Sequence, residues 1–529
     1  MKATKAVIIR QAQLAKKDIA SGRVSSHAEQ AVNTLADYSN AAVELLELAL
    51  AEAAKEPPDQ ALVDSFIFLF GQASEALRLD IEAGYKTALD IAEMVRKRLV
   101  TASQSSAVDP SIIWTLAQSF GAAKLDLGEE LPVVVEHVIE QVGAANAGDD
   151  GSAAMLGFVA DLIKRVDGDA FALFSCLNET SVGVPDESRA AMGMALLFSG
   201  EAAAAEASIG WLMDPATVVR RAAANALTDA ARKGKVTPTM LRRMITARNW
   251  LPDDSRPALD AAIATARRKG VPPAQWDDVE VRQLITTGID GSGAIGVLAH
   301  CRNKRKIVFG SLVLKHGVGV RDAWAQEGIT QKEIDRAFRD AAVVDQFTIA
   351  PDFLPTAIGH FLALGHQTGT MPPFGLVRFL EAVGVSSVQP QLMSAAALLD
   401  TIEEGHAIGA GVFEHLLADS VDLAADYVFV DSWFESGDAV DAVLVGNRQA
   451  RHKRAALVME KVLEPRREWW TQAAAWAACI LYRAGNDERW QEFYALASAM
   501  AQGRALKEMP LMYKVASQTV SAWQHRQNG

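Results

Sequence analysis

The sequence predicts a mainly α-helical protein whose helices stack in pairs as a solenoid, with a small antiparallel β meander inserted near residues 281–314. Three observations predict it. Half of the residues are hydrophobic but only 7% are aromatic, so the apolar content is aliphatic side chains and alanine, which favours helices over sheets. Apolar positions recur at three- and four-residue steps through most of the chain, and one stretch switches to a period of two. The 529 residues correspond to several domains or one long array. A chain of this size buries about three quarters of its unfolded surface and needs no disulfide or metal staple. With 37 Gly and 18 Pro, both near average usage, collagen-like and broadly disordered readings are excluded.

The first 142 residues read as helices with clear start signals. Ser26 with Glu29 is a capping-box pattern, and Val32, Leu35, Ser39, Val43, Leu46 and Leu50 then line one face of a long helix ended by Pro57 and Pro58. Leu62, Phe66, Leu69, Ala73 and Leu77 give a second stripe. Asp109 before Pro110 is an N-cap with a first-turn proline, opening a helix through Phe120. Residues 143–152, GAANAGDDGS, are small, polar and without periodicity, which predicts a flexible joint.

Beyond the joint, residues 153–275 hold short, evenly sized helical pieces at 153–166, 169–178, 187–198, 201–213, 216–233, 238–250 and 255–269. Starting points at Asp169, Glu201 and Pro238 are 32 and 37 residues apart, the period range of two-helix solenoid repeats. The strongest unit runs from Trp211 to Gly234, WLMDPATVVRRAAANALTDAARKG, with Asp214 and Pro215 as the turn and Val219, Arg220, Ala223, Ala226 and Leu227 following. This unit resembles the second helix of a HEAT repeat. The resemblance implies that Val, Ala and Leu pack inward while Arg220 bonds locally to an acidic turn residue, and it implies a fold, not a function.

Periodicity breaks between Val281 and Leu314. Ile295, Val297, Ala299 and Cys301 alternate to one side, and Ile307, Phe309, Ser311 and Val313 alternate likewise, as in a three-stranded antiparallel meander within residues 276–321. Helices are expected to resume from about Val320 and to fill residues 322–529. Thr330 with Glu333 forms a second capping box. Of the last tryptophans, Trp469 and Trp476 share a face with Ala473, Ala477 and Ile480, which reads as core before recognition surface.

Cys176, Cys301 and Cys479 are odd in number and lack CxxC spacing, which fits a reducing, cytoplasmic compartment. The N-terminal AVII run is broken at once by Arg10, too short for a signal-peptide core. The longest nearly uncharged stretches fall short of the roughly 18 residues that a membrane span needs, so no membrane association is expected.

Charge is the most informative functional feature. The chain carries −13 overall, yet residues 220–270 hold twelve Lys or Arg against four Asp, and residues 271–321 seven against four. The cations come in pairs on successive helices: Arg220 with Arg221, Arg232 with Lys233, Arg242 with Arg243, and Arg267 with Arg268 and Lys269. Sitting off the apolar stripes, they would stack into a row with Arg302, Lys304, Arg305 and Lys306 at the meander tip and track a phosphate backbone, or meet an acidic protein surface.

Other constellations are weaker. Gly291, Gly293 and Gly296 satisfy GxGxxG, but the residues after Gly293 alternate like a strand, so a hairpin turn is expected rather than a dinucleotide loop. His360 with His366, and His406 and His415 with Glu403, Glu404 and Glu414, match no zinc spacing and read as satisfied or solvated side chains. No phosphate loop or nucleophile elbow occurs. No metal or cofactor is implied. The sequence therefore points to a non-enzymatic scaffold that binds another macromolecule, a protein first. Nucleic-acid backbone binding through residues 220–321 is the alternative, and an enzyme of unrecognised type the second alternative.

Overall fold

A computed structural model describes residues 4–20, 26–36, 38, 40–105, 108–137, 151–304, 306–403, 409–485 and 489–528. The protein is mainly helical, 67% helix, with one small antiparallel sheet of five strands. It divides into two units, residues 1–192 with 526–529, and residues 193–525.

In the first unit Asp109 caps where the sequence places it, and Asp59 adds a cap that the sequence did not announce. The Asp59 carboxylate accepts from Leu62 N–H at the head of Gln60–Glu82, and Asp109 accepts from Ser111 N–H at the head of Pro110–Ala122, each satisfying a backbone donor that the first turn leaves free. The stripe from Val32 to Leu50 does not form one helix. It is divided between Ser26–Ala36 and Ala41–Ala53, with Ala41 N–H turning back to Tyr38 O (3.1 Å). The core gathers Leu45, Leu46, Phe66, Phe70, Val95 and Phe120, with the Phe70 and Phe120 rings stacked at 6.4 Å. Most of the expected joint, residues 143–150, lies outside the described residues, while Gly151 and Ser152 already belong to helix Gly151–Arg165.

The second unit opens with the helices that carry the basic pairs. Ala202–Ala207 tightens into a 3-10 turn, Ser208–Met213, where one straight helix was expected. Thr217–Arg232, Pro238–Arg248 and Arg256–Arg268 follow. Thr217–Arg232 and Arg256–Arg268 pack along each other through alanine-rich faces, Ala223, Ala224 and Ala231 on one and Ala262 and Ala266 on the other. Their starts lie together: Thr217 Oγ1 donates to Asp254 Oδ2 (3.3 Å) and Arg220 Nε to Ser255 Oγ (3.2 Å). The two helices therefore run parallel, and Pro238–Arg248, which links them in sequence, packs against Arg256–Arg268. At the far end Ala274 N–H donates to Pro238 O (2.9 Å).

The sheet is built from β1 Val279–Thr287, β2 Ala294–Asn303, β3 Lys306–Lys315, β4 Gly319–Glu327 and β5 Gln346–Thr348, in the order β4-β3-β2-β1-β5 with every neighbour antiparallel. The meander is thus larger than the three strands expected, and the helix expected from Val320 is a fourth strand. Gly317 (φ +75°) and Gly319 (φ +104°) turn the chain back in a conformation only glycine adopts freely, after which Ala323 is buried while Asp322, Trp324 and Gln326 face out. Ile295, Val297, Ala299 and Cys301 form the core face of β2, opposite Leu314, Leu312, Gly310 and Val308 of β3. Ile307, Phe309, Ser311 and Val313 line the other face, where Phe309 meets Phe338 of helix Gln331–Ala341 edge-on (5.8 Å). Helix Gly375–Val383 lies so close to β4 that a Cβ on Gly375 would stand 1.9 Å from Ala323 O.

Behind the sheet the helices Phe353–Thr368, Ala395–Glu403, Arg467–Ala484 and Trp490–Ala501 enclose an aromatic core. Trp433, Trp470, Trp476 and Phe493 are fully buried and Trp469 and Trp490 nearly so, as the spacing on the tryptophan helix predicts. Among the described residues no helix is long and apolar enough to cross a membrane.

Candidate functional site

The basic pairs do not form one solvent-facing row. Arg220 is 5% exposed, because helix Thr217–Arg232 turns it beneath its own first turn. Its guanidinium donates to Asp214 O (2.8 Å), Pro215 O (2.6 Å), Thr217 Oγ1 (2.7 Å) and Ser255 Oγ. Burial pushes its pKa down, with Asp254 and Asp214 pulling the other way. The HEAT-like expectation of a local bond to the acidic turn is met through the Asp214 carbonyl, while the Asp214 carboxylate accepts from Ala216 N–H (2.8 Å).

Arg243, 6% exposed, grips Glu381 with Nε (3.0 Å) and Nη2 (3.1 Å) and reaches Glu206 with Nη1 (2.8 Å). Arg242 shares Glu381 (2.9 Å), donates to Gln275 O (2.6 Å) and lies over the Trp276 ring (5.2 Å). One carboxylate on the helix that covers the sheet thus holds two arginines of Pro238–Arg248. The expectation that these pairs sit off the packed faces fails at Arg220, Arg242 and Arg243, because the several donors of a guanidinium are met there by carbonyls and hydroxyls at Arg220 and by Glu381 at Arg242 and Arg243, the last bidentate.

The remaining predicted cations are exposed. Arg221, Arg267 and Arg268 face solvent, Arg268 donating to Thr265 Oγ1 (3.0 Å). At the β2–β3 tip Lys304 meets Asp277 (3.5 Å), Lys306 meets Glu327 (2.7 Å) and Arg302 Nε donates to Lys304 O (3.0 Å), while Arg305 lies outside the described residues. The tip therefore does not continue the buried arginines into one track.

The glycine-rich stretch 291–296 joins β1 to β2 as a hairpin, as expected. The Asp290 carboxylate accepts from Ser292 N–H (2.9 Å) and Ala294 N–H (2.8 Å) and closes the turn. Its glycines answer to packing. Gly291 N–H donates to Ser432 Oγ (2.8 Å), a Cβ there would stand 1.8 Å from Ser432 O, and Trp433 Nε1 donates to Ile289 O (2.9 Å). Gly293 (φ +80°) abuts His316 and Trp469.

Around that turn the structure assembles titratable groups that no local motif announces. His316 lies 4.5 Å from the Trp469 ring, and Arg466 lies over the same indole while pairing with Glu435. Glu435 is 5% exposed. Burial pushes its carboxyl up, against the pull of Arg466. Burial and then Arg466 push His316 down. His360 is held at about 4 by burial and then by His316, with Nδ1 accepting from Met393 N–H (3.0 Å). His366 Nε2 lies 2.6 Å from Trp250 O. His360 and His366 are therefore occupied inside the fold. Among the described residues no three His, Cys, Asp or Glu side chains converge as a metal site. His406 and Glu404 lie outside the described residues.

Both the basic helices and the tryptophan helices coincide with recognisable sequence families. Residues 185–270 match the family described as Y4lR second domain. Residues 395–524 match the Y4lR C-terminal helical domain. Across 468 residues, 86% of this chain and 88% of the relative, the sequence is 25% identical to the uncharacterized protein y4lR of Sinorhizobium fredii (strain NBRC 101917 / NGR234). No solved structure matches. The second-domain match takes in the Arg220 turn and the Arg242–Arg243 pair, and the C-terminal match takes in Ser432, Trp433, Glu435, Arg466 and Trp469. Glu381 lies between the two matched stretches.

Proposed function

We propose that this chain is a non-enzymatic scaffold with a short HEAT-like stack at its centre, binding another protein in the cytoplasm. The observation that carries the reading is the parallel, directly packed run of Thr217–Arg232 and Arg256–Arg268, since stacked equivalent helices align their exposed faces into one continuous surface. Burial of Arg220 and Arg243 and the pairing of half-buried Arg242 favour a protein partner over a nucleic acid, because cations committed to the chain's own carbonyls and carboxylates cannot neutralise phosphates.

The second reading, binding of a nucleic-acid backbone, draws on the exposed Arg221, Arg267 and Arg268. Capture of partners by the full-length chain from its source cell, with and without nuclease, separates the two. A protein retained in stoichiometric amount after nuclease treatment supports the scaffold. Partners that vanish with nuclease would replace it by the second reading.

A further inference from the structure

The parallel helices bring a second set of cations together at the end opposite the Arg220 turn. From the shared level of Thr217 and Ser255, a rise of 1.5 Å per residue carries Arg232 up by about 22 Å and Arg268 by about 20 Å. The two C-termini therefore finish nearly level, and packed helices stand roughly 8–10 Å apart. The bond from Ala274 to Pro238 closes the same end from the other side, three residues beyond Lys235. Arg232, Lys233, Lys235, Arg267, Arg268 and Lys269 all lie there, and all are exposed.

Basic residues at a helix C-terminus ordinarily answer the helix dipole, and one or two would do so here. Six on two adjacent ends exceed that need. Asp229 offsets Arg232 (2.7 Å), which leaves a net of +5 on this end. Phe198 adds an apolar floor, with Lys233 Nζ 4.6 Å and Lys235 Nζ 5.4 Å from its ring centre. The ammonium groups are thereby held over a hydrophobic surface instead of ranging freely in water.

We infer that this end is a docking surface for a short acidic segment of a protein partner. The inference rests on the scaffold reading and names its partner's chemistry. Charge complementarity selects an acidic ligand. The size of the patch selects a short one, because the chain outside residues 220–321 carries a large negative excess that repels an extended polyanion wherever the two come within about 10 Å at 0.1 M salt, whereas a brief run of Glu or Asp fits within the patch. Phe198 would receive an apolar side chain flanking the acids.

The test is fluorescence anisotropy of a labelled short poly-glutamate peptide with the full-length chain, beside a labelled short duplex DNA. The peptide should bind at about 50 mM salt and weaken by about tenfold or more at about 300 mM. The charge-reversed variant Lys233→Glu, Lys235→Glu, Arg267→Glu, Arg268→Glu should lose at least about tenfold in affinity. The corresponding glutamine variant, which adds no repulsion to the fold, should lose affinity to a smaller but measurable extent. Absence of peptide binding at low salt, or binding unchanged in both variants, overturns the inference. Duplex bound more tightly than peptide, and lost in the same variants, overturns it in favour of a nucleic acid. A nuclease-resistant partner still captured by the glutamine variant would leave the scaffold standing and remove this surface from it.

Discussion

Helix Pro238–Arg248 and helix Arg467–Ala484 are both packed inside the larger unit, and each carries the residue type most conspicuous in its stretch of sequence: paired arginines in one, tryptophans in the other. The arginines enter the interior by binding carboxylates, Arg243 gripping Glu381 and Glu206 and Arg242 sharing Glu381. The tryptophans enter by excluding water, with Trp470 in ring contact with Trp433, which in turn meets Phe493. The two interfaces therefore differ in how they fail. A hydrocarbon contact is lost in proportion to the volume removed. A buried ion pair becomes a liability when one partner is removed and the other stays charged.

The largest expected effects follow from that difference. Trp476→Ala and Glu381→Leu should each cost about 3–5 kcal/mol in denaturant unfolding, the first by leaving a cavity and the second by stranding two guanidiniums. Adding Arg242→Met and Arg243→Met to Glu381→Leu should recover part of the loss, since matched apolar side chains replace the buried pair while Glu206, more exposed than Glu381, is left to solvent. If the triple variant stays as unstable as Glu381→Leu alone, the arginines contribute something other than ionic pairing.

The aromatic region should instead reveal itself by pH. His360 is held at about 4 in the fold against an ordinary 6.5, so the unfolded chain binds more protons throughout that window. Stability therefore rises with pH there: it is fully present above about 6.5 and is lost as pH falls toward 4, by about 3 kcal/mol in all. His360→Gln should flatten the acid arm of a stability profile. Glu435 has the opposite sign. Burial raises its carboxyl pKa, so the stability tied to its proton is present at low pH and lost as pH rises through the folded value. An unchanged acid arm in His360→Gln would show that the window belongs to other groups.

A smaller effect is expected at the turn. Gly291→Ala should cost about 1–3 kcal/mol by overpacking, because the added carbon would stand 1.8 Å from Ser432 O. A neutral result would mean that the turn moves away from residues 432–433 without loss.

The helices were legible in the sequence because caps and periodicity are local. Asp109, Asp169 and the Thr330–Glu333 box all cap as their spacing predicts. The fourth strand was not, since Gly319 to Glu327 lies at a sheet edge and alternates cleanly only from Asp322. The candidate site was legible in composition and illegible in geometry. A pair such as Arg242–Arg243 reads as solvated until its acceptor is known, and Glu381 lies 139 and 138 residues away. The one local hint is that Glu381 is the sole acidic residue in the GLVRFLEAV helix, where Arg378 is the only other charged side chain. Glu435 and Arg466, 31 residues apart, offered no such hint.

Arg267 and Arg268 provide the smallest expected effect and the control for the whole comparison. They resemble Arg242 and Arg243 in sequence, two adjacent arginines on a short helix, but they are exposed, and the contact at Arg268 is to Thr265 within its own last turn. Replacing both with Gln removes a favourable interaction with the helix C-terminus, worth about 0.3–1 kcal/mol per charge at low salt and less as salt rises. The loss in Arg267→Gln, Arg268→Gln should therefore stay below about 2 kcal/mol and shrink at high ionic strength. Arg242→Gln with Arg243→Gln should cost more and depend less on salt, because Glu381 and Glu206 would remain charged with their partners gone. Equal losses, equally screened, would mean that depth in the fold does not distinguish the two pairs. The division between structural arginines and those available to a partner would then fall.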